Sequence, residues 1–141
     1  MKAIKLTIIA LALLLSWNIN AQQGKSEEEL IRETIMHYIE GTANGEPERI
    51  KKAFHKDLNL YTSDKGQLKV RSGEKYISYF KEGQKVNRVG KIISIDFEQN
   101  AAMAKAEIIF PDKRIFTDYF LLLKLENEWK IIHKSYTWRN P

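Results

Sequence analysis

Four side chains in this sequence have the chemistry to act on a small molecule: Tyr38, His55, Asp118 and His133. Asp118 is the sharpest of them. It stands between Phe116 and Phe120 in an alternating apolar run, so its carboxyl faces the same way as two phenyl rings. A carboxylate in that setting must be paired, protonated or open to a pocket. A protonated Asp118 would be a hydrogen-bond donor or general acid. A paired one would bond a neighbouring backbone group or a Lys or Arg and fix the sheet. His55 follows a short helical pattern, where it could serve as a general base or cap the helix end as a cation. His133 shares a strand face with Trp129, Ile131 and Ser135, while Lys130 and Lys134 mark the opposite side as wet. This alternation predicts an inward His133, either a core histidine or a pocket wall. Tyr38 falls on the apolar side of the first helix, and His37 at its margin, where a structural role is expected. Tyr76, Tyr79 and Phe80 could stack a flat ligand or pack the core. The candidate pocket set is Tyr38, Phe54, His55, Tyr79, Asp118 and His133.

Other chemistries are poorly served. The chain has no cysteine, which removes disulfides, thiolate metal sites and thiol nucleophiles. His37, His55 and His133 have no metal-ligand spacing, and no serine lies in a nucleophile elbow. No glycine-rich phosphate loop occurs. No metal or cofactor is therefore expected, and no residue is assigned a catalytic role.

The elements that must position these residues begin after a targeting signal. Lys2 and Lys5 precede an uncharged ten-residue run, Leu6–Leu15, apolar except for Thr7, and a polar stretch ends at Ala21. That is the layout of a secretory signal peptide, and the run is too short for a bilayer core, which takes roughly 20 residues. Residues 1–21 are expected to be removed, making the protein exported, periplasmic or secreted, with no stable membrane anchor. The 141-residue chain then leaves one domain, 22–141, with 21 basic and 18 acidic residues in place of 23 and 18. This modest, dispersed charge is not a nucleic-acid footprint.

Ser26-Glu27-Glu28-Glu29 has the form of a capping box, and Leu30, Ile31, Thr34, Ile35, Tyr38 and Ile39 repeat at helical spacing behind it. Gly41 and the following residues to Gly45 are expected to stop this helix. Pro47 opens a second, short helix, with Ile50, Ala53 and Phe54 on its apolar face. Leu58–Thr62 alternates, Ser63–Gly66 turns, and Ser72 caps a third helix carrying Tyr76 to Phe80 and ending at Gly83. Strands are expected at Lys91–Glu98, Ala101–Phe110, Ile115–Leu125 and Trp129–Trp138, joined by connectors short enough for antiparallel hairpins. Helices first and strands after give an α+β domain, with three helices on one face of a curved antiparallel sheet. The strand Ile115–Leu125 is apolar on both faces. Helices can cover only one, so a homodimer through the sheet is expected to cover the other.

The closing stretch Phe116-Thr117-Asp118-Tyr119-Phe120-Leu121-Leu122-Leu123-Lys124, then Trp129-Lys130-Ile131-Ile132 and Lys134, resembles the lumazine-binding branch of the small NTF2-like proteins. So do Tyr38-Ile39-Glu40-Gly41, Phe54-His55-Lys56-Asp57 and Ile93-Ser94-Ile95-Asp96 in their order and spacing. Lys56 departs from the resemblance, since similar chains usually have Pro there. The resemblance implies an NTF2-like cone with a pocket able to hold a small molecule. It also places Tyr38 where ketosteroid-isomerase-like relatives carry an oxyanion-stabilising tyrosine. Their carboxylate base would fall near Thr62-Ser63, and neither residue is a carboxylate. The leading expectation is an exported domain that binds a small, partly apolar ligand without transforming it. An enzyme of isomerase, dehydratase or cyclase type using Asp118 with Tyr38 or a histidine is the alternative. An envelope protein-interaction module is a third.

Overall fold

The computed structural model describes residues 24–141, so the expected leader lies outside the described residues. Helix α1 spans Glu27–Asn44. Its start is the capping box that the sequence encodes: the Glu29 amide donates to Ser26 Oγ, and the Ser26 amide donates to Glu29 Oε2 at 2.7 Å. Ile31, Ile35, Tyr38 and Ile39 form its buried stripe. The helix does not stop at Gly41. It continues to a left-handed cap at Gly45, with φ 67°. Gly41 instead permits close packing, because a Cβ there would lie 2.9 Å from Ile50 Cγ1 on helix α2 (Pro47–Ala53).

Strand β1 (Phe54–Asp64) starts directly after α2, earlier than the alternation from Leu58 implied. His55 is thus a strand residue and not the last residue of a helix. Its Nδ1 accepts a bond from the Asp57 amide at 3.3 Å. A tight turn leads to β2 (Gln67–Ser72), and Ser72 caps α3 (Gly73–Ile77) as its position predicts. Helix α3 is shorter than expected and ends before Tyr79 and Phe80. The long strands follow: β3 (Val89–Glu98), β4 (Ala101–Ile109), β5 (Ile115–Leu125) and β6 (Glu128–Arg139).

The six strands form one sheet in the order β2-β1-β6-β5-β4-β3. The four long strands make the expected antiparallel meander, and β1 adds to β6 as a parallel pair. The inner face supplies Ala102, Ala104, Ala106, Phe120, Leu122, Trp129 and Ile131 to the core beneath the helices. The outer face presents Tyr119 and Leu121 of β5 at 46% and 49% exposure, beside Met103 of β4.

Candidate functional site

Tyr38, Asp118 and Lys134 meet under α1. The helix stripe turns Tyr38 down onto the sheet, where its ring packs between Phe54 and Phe120, each at 5.5 Å. Its hydroxyl donates to Asp118 Oδ2 at 2.7 Å. The Lys134 ammonium donates to the Tyr38 hydroxyl oxygen at 2.6 Å and lies 3.0 Å from Asp118 Oδ2. Both ion-pair partners are buried, with side-chain exposures of 4% and 1%. Three tyrosine rings surround the ammonium, those of Tyr38, Tyr76 and Tyr136, with centroids at 4.7, 5.3 and 5.0 Å. Such faces favour a cation. Burial, then the adjacent Asp118 carboxylate, pushes the Tyr38 hydroxyl well above its ordinary pKa, so this phenol stays protonated.

Lys134 was expected on the wet side, and His133 inside. The structure reverses them. On β6, Ile131 pairs with Leu122 and His133 with Leu121, so Ile132 is an extra residue in a β-bulge. One inserted residue exchanges the faces of every later side chain. Trp129 and Ile131 point inward before the bulge, and Lys134 is buried after it. His133 is turned to the outer face, stacked on Tyr61 at 4.6 Å between ring centroids. It takes no part in the inner site.

Beside the triad lies a cavity of about 150 Å³. Asp118, Lys134 and Tyr38 form one end of its lining, Tyr76, Phe80, Phe110 and Phe116 contribute aromatic walls, and Arg71 and Arg88 add charge. Arg88 comes from the segment before β3 and lies between two rings, 5.1 Å from the Phe80 centroid and 5.2 Å from that of Phe110. Its Nε and Nη2 are buried without a partner, as is Asp118 Oδ1. Neither Arg71 nor Arg88 forms an ion pair among the described residues.

The remaining candidates lie elsewhere. Tyr79 is 53% exposed and packs against Arg71 and Lys75, because α3 ends too early to turn it inward. His55 and Phe54 border a separate open groove of about 610 Å³ between α2 and α3. Phe54 also stacks on the back of Tyr38. His37 is structural: its Nδ1 accepts a bond from Arg49 Nε, and burial followed by the Arg49 charge lowers its pKa. Among the described residues no group of three or more His, Asp and Glu side chains could hold a metal ion, and no helix is long and apolar enough to cross a membrane. Sequence reasoning found Tyr38 and Asp118 but missed Lys134, Arg71 and Arg88. No local signal marks those three cations off from the many solvated ones.

Comparison with known proteins agrees with this architecture. A sequence model of the family described as "Putative lumazine-binding" matches residues 26–137. Aldolase FrzH of a Cladobotryum species is 25% identical over 115 residues, which cover 79% of this chain and 90% of that protein. An NTF2-like protein of unknown function from Shewanella baltica superposes with a TM-score of 0.73 at 22% identity, over 84% of this chain and 100% of its own. Another, from Methylobacillus flagellatus, has a TM-score of 0.70 at 24% identity, over 84% and 96%. The α+β cone is therefore the NTF2-like fold.

Proposed function

We propose, since the chain belongs to the lumazine-binding family of NTF2-like domains, that it is an exported protein that holds a small, partly apolar molecule in the cavity under α1 without transforming it. The carrying observation is the cavity itself: aromatic walls close on a buried polar end made by Tyr38, Asp118 and Lys134. Ligand sites are mostly apolar concavities with a few placed polar groups, and this one has that character at small scale. Binding without turnover is supported by the way the three polar side chains engage one another. It is also supported by Thr62 and Ser63, which offer no carboxylate where an isomerase-like base would fall.

The test is thermal-shift and native mass measurement across a panel of single-ring metabolites, with wild type and a cavity-filling Phe116→Trp variant. A ligand that raises Tm in the wild type and not in the variant is expected. A panel that leaves both unchanged would sink this reading.

Export rests on the leader-like residues 1–21, and a mature N-terminus near Gln22 in protein recovered outside the cytoplasm would support it. Dimerisation rests on the outer sheet face. Leu68, Val70, Met103, Tyr119 and Leu121 are each roughly half or more exposed there, and clustered exposed apolar side chains are the kind of surface that partners cover. A monomeric mass by light scattering at micromolar concentration would count against it.

A second reading, an acid–base enzyme, is favoured by the direct Tyr38–Asp118 bond and by the relative named as an aldolase. It requires that Asp118→Asn abolish turnover of a carbonyl substrate while the fold persists. A variant that still turns over removes it.

A further inference from the structure

Two residues that line the cavity, Arg88 and Asp118, carry three buried polar atoms with no hydrogen-bond partner. Two are donors, Arg88 Nε and Nη2, and one is an acceptor, Asp118 Oδ1. Buried polar groups without partners are costly, and protein interiors rarely retain them. The two donors belong to one edge of a single guanidinium, where parallel N–H bonds match the two oxygens of a carboxylate. The charge balance points the same way. Lys134 is neutralised by Asp118, whereas Arg71 and Arg88 bring two further positive charges and meet no carboxylate among the described residues. Phe80 and Phe110 hold the Arg88 guanidinium between their faces, so its free edge is fixed before any ligand arrives. A cavity near 150 Å³ is of the size that admits a benzene-like ring.

Resting on the reading of this cavity as a ligand site, we propose that its occupant is a small planar organic acid carrying an O–H or N–H donor away from the acid group. The acid lies on the Nε–Nη2 edge of Arg88, with Arg71 adding charge, and the donor bonds Asp118 Oδ1. The ring lies among Tyr76, Phe110 and Phe116. Acid and donor together identify the class: an aromatic or unsaturated ring acid with a hydroxyl or amide-type N–H, in preference to a neutral ring or an inorganic anion.

Calorimetric titration of the full-length purified protein with four probes tests this: 4-hydroxybenzoate, benzoate, methyl 4-hydroxybenzoate and inorganic phosphate. The hydroxy acid should bind about tenfold or more tightly than each of the others, since benzoate lacks the donor, the ester lacks the charge and phosphate lacks the ring. Arg88→Lys keeps the charge and removes the fork; it should erase the preference for acid over ester. Asp118→Asn, checked for folding by circular dichroism, should erase the preference for the hydroxy acid over benzoate. Equal binding of acid and ester by the wild type would overturn the proposal and leave the cavity reading intact. Binding of none of the ring probes, by any variant, would overturn both. Tight binding of phosphate alone would replace an organic acid with a simple anion and also overturn it.

Discussion

The Lys134 ammonium donates to the Tyr38 hydroxyl at 2.6 Å, joining the last strand to the first helix through a buried polar contact. Because Asp118 Oδ2 lies 3.0 Å from the same ammonium, the first helix, β5 and β6 share one charge-paired junction. A buried pair of this kind gives little net stability against apolar replacements, but it is expensive to break from one side. Lys134→Met strands the Asp118 carboxylate and should cost about 3–5 kcal/mol in urea denaturation. The double variant Lys134→Met with Asp118→Leu should recover most of that loss. A single variant costing less than about 1 kcal/mol would show that Asp118 does not depend on Lys134.

Tyr38 gives the same junction an alkaline limit. Its folded pKa is raised above the ordinary 10.0, first by burial and then by the Asp118 charge. Below 10 both folded and unfolded chains keep the proton, and the contribution is fully present. Above it the unfolded chain releases a proton that the folded chain retains, so stability falls as pH rises. The fall should approach about 1.4 kcal/mol per pH unit until the folded hydroxyl itself ionises. Urea midpoints measured on both sides of pH 10 should show this component in the wild type and lack it in Tyr38→Phe. Parallel profiles for the two proteins would refute it.

What could be read beforehand divides along a physical line. The capping box at Ser26, the helical stripe through Tyr38 and the alternation of β5 around Asp118 are local patterns, and each reappears in the structure. Asp118 was legible as a carboxylate needing a partner, and Lys134 and Tyr38 are that partner. The identity of the partner was not legible, because Ile132 bulges where β6 runs past β5. That bulge depends on pairing between strands, whereas alternation counts residues along one strand. His133 and Lys134 therefore exchange places. Tyr79 leaves the site for a similar reason: the length of α3 is set by what it packs against, and its Ser72 cap fixes only the start. Arg88 stands in an irregular segment placed by contacts to distant residues.

Those contacts make Gly45 a second point of control. Its φ of 67° is left-handed, and an added Cβ would lie 2.5 Å from the Gln84 carbonyl oxygen and 2.6 Å from that of Lys81. The Gly83 amide donates to the Gly45 carbonyl, and the Val86 amide to that of Ala43, so the end of α1 holds the segment leading to Arg88. Gly45→Ala should cost about 1–3 kcal/mol from backbone strain and collision together. In hydrogen exchange, the Gly83 and Val86 amides should also lose protection before those of the sheet. Unchanged protection at both amides would mean that the segment is held elsewhere.

At the other end of α1, Glu27 predicts an acid limit. Its carboxylate accepts from Lys124 Nζ at 2.5 Å and from Trp129 Nε1 at 2.8 Å, tying the helix start to β5 and β6. These two bonds, that to Lys124 first, hold its pKa below the usual 4.5. For a depressed carboxyl the stabilisation is complete above the unfolded value and is lost as pH falls through the folded one. The wild-type advantage over Glu27→Gln should therefore be constant near neutral pH and decline only below about 4.5. Added salt should reduce it wherever the carboxyl is ionised, because this group is open to solvent. Urea midpoints of the two proteins from neutral pH down to about 3 check this. An advantage that persists unchanged at the acid end would show that Glu27 acts through packing, and that its charge is irrelevant to the docking of α1 on the sheet.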